Sequence, residues 1–161
     1  MNLWPQTASC WIIGHRGAMG YAPENTFASF DEAIRRGADW IELDVRLTAD
    51  GHPVVMHDES VERTTDGRGA VAEMTLKKIL ALDAGAWYRP EFAGQRVPLL
   101  PEVVERFRDR RTNARHPVGL IVELKTVPGG AAALAASVVE ALRAGGALDR
   151  AVVISFDPAA L

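Results

Sequence analysis

Runs in which apolar and polar residues alternate recur along the chain, separated by stretches with helical spacing. Alternation is strictest over residues 40–47, where Ile41, Leu43, Val45 and Leu47 share one strand face and Glu42, Asp44 and Arg46 share the other. Residues 119–125 repeat the pattern, with Leu120, Val122 and Leu124 opposite Ile121, Glu123 and Lys125. Shorter β-type runs at 11–15, 53–57 and 151–156 bring the expected strands to five. Asn25 or Thr26 can open a helix with Phe27, Phe30 and Ile34 on one face, which Gly37 can close. Thr75 is expected to cap a short helix through Leu82, Pro101 to start one through Phe107, and residues 130–143 to form an alanine-rich one. Strands alternating with helices predict βα units and a parallel sheet.

Residues 58–100 break this rhythm. They are turn-rich from Thr64 to Gly69 and then aromatic at Trp87, Tyr88 and Phe92. The segment is read as an insertion between the third and fourth strands, inside a single domain covering residues 1–161. Composition agrees, because a chain of 161 residues that is 48% hydrophobic can bury one core of ordinary size. Eighteen basic residues face 21 acidic ones, for a net charge of −3. The one basic cluster, Arg106 to Arg111, is interleaved with Glu102, Glu105 and Asp109. It reads as a solvated helix end, so no nucleic-acid partner is expected. No apolar run approaches the roughly 20 residues that span a bilayer. Residues 1–10 lack the basic start and apolar core of a secretory signal, and the expected location is cytoplasmic. A single cysteine, Cys10, excludes an internal disulfide.

Candidate chemistry lies at the strand ends, where His15-Arg16, Glu42 with Asp44, His57-Asp58, and Glu123 with Lys125 fall. In a parallel sheet these ends share one edge, the edge that carries catalytic residues in parallel α/β barrels. Three carboxylates facing one interior need compensation, because burying unpaired charge is prohibitively costly. A hard divalent cation such as Mg²⁺ or Ca²⁺ supplies it. Ion pairs of Glu42 with Arg46 and Glu123 with Lys125 are the alternative. His15 and His57 suit a general base and a general acid. Zinc held by the two histidines is less favoured beside so many hard oxygens. Arg16 and Lys125 add fixed positive charge and point to an anionic substrate, most simply a phosphate. His52 and His116 are expected to be solvated and idle.

Ordered motifs then resemble the glycerophosphodiester phosphodiesterase family: HRGA at 15–18, PENT at 23–26, IELDV at 41–45, and DGHPVVMHD at 50–58. RTTDGRG at 63–69, LDAGAW at 82–87, VELK at 122–125 and ISFD at 154–157 continue the series. The resemblance implies a (β/α)₈ TIM barrel and metal-dependent hydrolysis of glycerophosphodiesters to sn-glycerol 3-phosphate and an alcohol. It implies His15 and His57 as the acid/base pair and Glu42, Asp44 and Glu123 as ligands of Ca²⁺ or Mg²⁺. Arg16 and Lys125 would hold the substrate phosphate, with Glu24 and Asn25 shaping the first loop. Eight βα units typically need about 250 residues. The expectation is therefore a barrel truncated after about five units, an open arc of parallel strands. Two rivals follow. One is a non-catalytic phosphate-binding or interaction module. The other is a lysophospholipase D-like activity in which Trp87, Tyr88 and Phe92 meet a lipid chain. Oligomeric state is left open.

Overall fold

The computed structural model describes residues 10–161. Five strands form one sheet: β1 (Ile13–Gly14), β2 (Trp40–Leu47), β3 (Pro53–Val55), β4 (Gly119–Leu124) and β5 (Ala151–Ile154). Strands β1, β2, β4 and β5 lie side by side in that order, and each neighbouring pair is parallel. β3 departs from the expectation, because it pairs with β2 antiparallel, with Val45 opposite Val55 and Leu47 opposite Pro53. The open arc thus has four parallel strands and one antiparallel strand. Its cause is the connection. A parallel return needs a crossover of about a dozen residues or more, whereas a tight turn permits only a hairpin. Here the turn is tied by a Thr48 hydroxyl donating to Asp50 Oδ1 (2.7 Å), with Gly51 at φ 81°.

Trp40 pairs with both Ile13 and Gly119, and Val45 with both Val55 and Leu124. β1 and β3 therefore share one edge of β2, and β4 takes the other. β1 arrives at the lower half of that edge and β3 at the upper half, running towards each other.

Helix α1 (Phe27–Arg35) starts at Thr26, whose Oγ1 accepts the Ser29 N–H at 3.3 Å, so Thr26 and not Asn25 is the cap. Helix α2 (Leu76–Ile79) is shorter than expected, and Thr75 makes no capping bond through its side chain. Helix α3 (Leu100–Arg106) carries Pro101 in its first turn, and Glu102 accepts the Leu99 N–H at 3.1 Å. Helix α4 (Ala131–Ala144) is the alanine-rich stretch. Ile41, Leu43, Val45, Leu120, Val122 and Leu124 are buried under Phe30 and Ile34 of α1, Val103 and Val104 of α3, and Leu134 and Val138 of α4. Each such aliphatic side chain removed from water contributes about 1.5–3 kcal/mol. The helices cover this face and leave the charged face of β2 and β4 inward.

Strand β3 serves two cores. Val55 joins the main core, while Val54 and Met56 join a second cluster with Val61, Val71, Met74, Ile79, Ala84 and Val97. The stretch between β3 and α3 is thereby packed against the sheet beside the charged face. At the foot of that face Gly119 sits directly opposite Trp40, and a Cβ on Gly119 would lie 2.2 Å from the indole. Glycine is required there by close approach.

Candidate active site

The β2–β4 register sets Asp44 directly opposite Glu123, with Glu42 one pleat below. One carboxylate oxygen each from Glu42, Asp44 and Glu123 lies within 4.8 Å of the others, and all three residues are buried. Lys125 Nζ is 2.6 Å from Glu123 Oε1 and 3.3 Å from Asp44 Oδ1. Arg16 Nε is 3.4 Å from Asp44 Oδ2, and the Arg16 backbone N–H donates to Glu42 Oε2 at 2.8 Å. The compensation is incomplete. Burial, with the charges of Asp44 and Glu123 adding to it against the Arg16 N–H, pushes the Glu42 carboxyl up to about 7. Asp44 Oδ1 is buried without a hydrogen-bond partner, the Lys125 ammonium being near it but not aligned to donate. Three hard oxygens around an unsatisfied lone pair suit a divalent cation.

The histidines reach this rim from opposite directions. His15 follows Gly14, the last residue of β1, and its Nε2 is 3.8 Å from Glu42 Oε2. His57 follows β3, whose trailing Met56 N–H donates to the Asp44 carbonyl at 3.0 Å. The expectation that His57 ends a parallel strand is therefore corrected. The hairpin brings the chain back down along β2, so that the residue before His57 meets the Asp44 backbone. His57 Nδ1 is 2.6 Å from Asp58 Oδ1, and the His57 carbonyl accepts from Arg46 Nε at 2.9 Å.

The loop after β1 is held in an unusual backbone. Arg16 and Asn25 have φ 50° and 56°, a left-handed conformation uncommon outside glycine. Both are over-determined by their partners. The Arg16 carbonyl accepts from Asn25 N at 3.1 Å and from Ser29 Oγ at 2.8 Å. Asn25 Nδ2 donates to Asp44 Oδ2 at 2.8 Å. At Gly17 (φ 78°) a Cβ would approach the Ser29 carbonyl carbon to 2.6 Å, so the turn closes only on glycine. Glu24 Oε1 accepts from Arg16 Nη1 at 3.0 Å.

All nine residues singled out in the sequence thus lie in one connected neighbourhood. Of the alternative ion pairs, Lys125–Glu123 forms, whereas Arg46 turns to the carbonyls of His57 and Lys125. His52 is exposed as expected. His116 is half-buried instead, its ring centroid 6.2 Å from that of Trp11. Arg106 pairs with Asp31 at 2.5 Å and Arg108 with Glu105, as a solvated helix end would. Trp87, Tyr88 and Phe92 pack edge-to-face on one another, with centroids 5.6 and 5.7 Å apart. Sequence reasoning places Arg63 within a motif and Asp58 at a strand end but gives neither a role. Asp58 was readable as the neighbour of His57, but the bonds of Arg63 exist only in the folded chain. A cleft of about 160 Å³ is lined by Arg46, Glu59 and Lys125 together with Val71, Val127 and Leu134, and Lys125 links it to the carboxylate cluster.

Parallel strands under helices, with a buried acidic cluster and two histidines at their C-terminal rim, define an α/β protein of the TIM-barrel type. Residues 15–161 match the glycerophosphoryl diester phosphodiesterase family, and the chain belongs to that family. It is 54% identical over 99 residues to a glycerophosphodiester phosphodiesterase of Caldanaerobacter subterraneus, covering 62% of this chain and 41% of that protein. With a Bacillus subtilis glycerophosphodiester phosphodiesterase it shares 47% identity over 103 residues, covering 59% of this chain and 35% of the relative. A crystal structure of the Agrobacterium tumefaciens enzyme superposes with TM-score 0.82 at 40% identity, over 93% of this chain and 59% of that one. An Oleispira antarctica phosphodiesterase, in complex with the product sn-glycerol-3-phosphate, superposes with TM-score 0.84 at 37% identity, over 94% of this chain and 59% of that one. The chain spans about half the length of the curated relatives it matches. Among the described residues no helix is long and apolar enough to cross a membrane.

Proposed function

We propose that this chain carries the catalytic rim of a metal-dependent phosphodiesterase that hydrolyses glycerophosphodiesters to sn-glycerol 3-phosphate and an alcohol. The observation that carries the reading is the buried Glu42–Asp44–Glu123 cluster, with its unpartnered Asp44 oxygen, His15 beside Glu42 and His57 on the loop after β3. Glu42, Asp44 and Glu123 would hold Ca²⁺ or Mg²⁺, a choice set by ligand number and rigidity. When bound, such a cation polarises the phosphoryl oxygens and lowers the pKa of a coordinated hydroxyl.

The chain's own residues do the rest. Arg16 and Lys125 would bind the phosphate and orient it towards the carboxylate cluster. One histidine would take the proton of the glycerol hydroxyl next to the phosphate ester as that hydroxyl attacks phosphorus, and the other would protonate the departing alcohol. Water then opens the cyclic phosphate, with the histidines' roles reversed. Glu24 and Asn25 hold the first loop, and through it Arg16. The phosphodiester is the expected small-molecule partner. A cytoplasmic setting belongs to the same proposal.

The test is release of glycerol 3-phosphate from glycerophosphocholine by the full-length protein with Ca²⁺ or Mg²⁺. Turnover that chelation abolishes and added metal restores is expected. Choline and glycerol 3-phosphate in equal amounts mark a phosphodiesterase. Phosphate binding without turnover under either ion would overturn the reading in favour of a binding module.

A further inference from the structure

Arg63 lies outside the cluster described above, in the stretch between β3 and α3, yet its guanidinium reaches both histidine-bearing loops. It grips Asp58 with Nε to Oδ2 at 2.5 Å and Nη2 to Oδ1 at 3.0 Å. It also grips Glu24 with Nη1 to Oε2 and Nη2 to Oε1, both at 2.8 Å. Each of these carboxylates in turn holds a group at the rim: Asp58 Oδ1 is 2.6 Å from His57 Nδ1, and Glu24 Oε1 accepts from Arg16 Nη1 at 3.0 Å. Two forks on one planar cation fix two carboxylates in orientation as well as in charge.

Resting on the phosphodiesterase reading, we propose that Arg63 is a positioning residue, which through Asp58 keeps the His57 proton on Nδ1 and through Glu24 aims Arg16. An ionised carboxylate only accepts hydrogen bonds, so Nδ1 must carry the proton and Nε2 is left as the basic nitrogen. Arg63 secures this, since its hydrogen bonds to Asp58, with that of His57 adding to them, hold the Asp58 carboxyl well below the usual carboxylate range. The same guanidinium keeps Glu24 from swinging away from Arg16. One residue of the inserted stretch therefore ties the geometry of the loop after β1 to that of the loop after β3.

The test reads the His57 ring nitrogens of the ¹⁵N-labelled chain by long-range ¹H–¹⁵N correlation, with the imidazole neutral. In the wild type the Nδ1–H form should dominate. Arg63→Gln should mix the two tautomers, Arg63→Lys should restore the wild-type pattern only in part, and Asp58→Asn should favour the Nε2–H form. In the full-length enzyme R63Q should lower kcat by about 10²-fold through His57, with a smaller rise in KM through the released Arg16. A wild-type tautomer pattern in folded R63Q or D58N would overturn the proposal, as would a rise in KM alone. If no form, wild type included, turns over glycerophosphocholine, the phosphodiesterase reading fails, while the tautomer pattern still decides whether Arg63 sets His57. Should R63Q not fold, R63K carries the decision, and a fully wild-type tautomer pattern in it would overturn the proposal.

Discussion

Asn25 and Asp44 hydrogen-bond to each other in both directions: the amide donates to Asp44 Oδ2 at 2.8 Å, and the Asp44 backbone N–H donates to Asn25 Oδ1 at 3.4 Å. The pair joins the loop after β1 to the middle of β2. It also leaves the second carboxylate oxygen, Oδ1, as the one turned towards Glu123 and Lys125 without a hydrogen bond. Asn25→Ala should free Asp44 to rotate and weaken divalent-ion affinity by about 10- to 100-fold, as loss of a ligand's supporting partner does. Calorimetric titration checks this, and unchanged affinity would reduce Asn25 to a loop residue.

The carboxylates should act as a set. Glu42→Gln, Asp44→Asn and Glu123→Gln each remove one anionic oxygen donor from a cluster whose oxygens lie within 4.8 Å. Each should weaken Ca²⁺ or Mg²⁺ binding, and metal-free protein should be inactive until the ion is returned. Full affinity in all three variants would place the ion elsewhere.

Glu42 makes the metal-free chain sensitive to alkali. Its carboxyl is pushed from the ordinary value of 4.5 to about 7 by burial and its acidic neighbours. Below about 4.5 both folded and unfolded chains hold the proton, and Glu42 costs nothing. Between 4.5 and 7 the unfolded chain releases the proton more readily, so stability falls as pH rises, and above 7 the full penalty applies. That penalty is on the order of 3 kcal/mol. Urea unfolding in chelator from pH 4.5 to 8 should show the decline, and Glu42→Gln should flatten it. A divalent cation should offset the loss at the alkaline end. Equal slopes for wild type and E42Q would refute this account.

The two histidines should be separately indispensable. His15→Ala or His57→Ala in the full-length enzyme should lower turnover of glycerophosphocholine by about 10² to 10⁴, the range of general acid–base catalysis. Metal affinity should survive both changes, because neither side chain is among the three carboxylates. Near-normal rates in both variants would remove the proposed mechanism.

The strand edges that no described residue pairs should make the 161-residue chain associate. β1 and β5 end the sheet path, and their surroundings expose Ile12 (54%), Ile13 (49%) and Phe156 (93%). Unpaired edges beside apolar side chains are templates for intermolecular pairing. Sedimentation velocity of the chain alone should show species that grow with concentration. A single monomeric boundary at all concentrations would count against that.

The amino-acid sequence by itself determined which residues are apolar at period two and period 3.6, and hence the inward acidic face of β2 and β4 and the helices that cover the other face. It also placed His15, Glu42, Asp44 and Glu123 at the rim, because a parallel register carries strand position straight into space. It could not determine the direction of β3. The apolar run at 53–57 reads as a strand in either direction, and only the tight Thr48–Asp50 turn, closing as a hairpin, brings the chain back so that Met56, next to His57, meets the Asp44 backbone. The folded chain likewise decided the partners of Arg46 and Arg63. A long cationic side chain reaches many acceptors from one backbone position, and which of them it meets depends on how separate loops pack. Periodicity is a local property of the chain. The meeting of Arg63 with Asp58 and Glu24 joins residues 39 positions apart, and only tertiary packing brings them together.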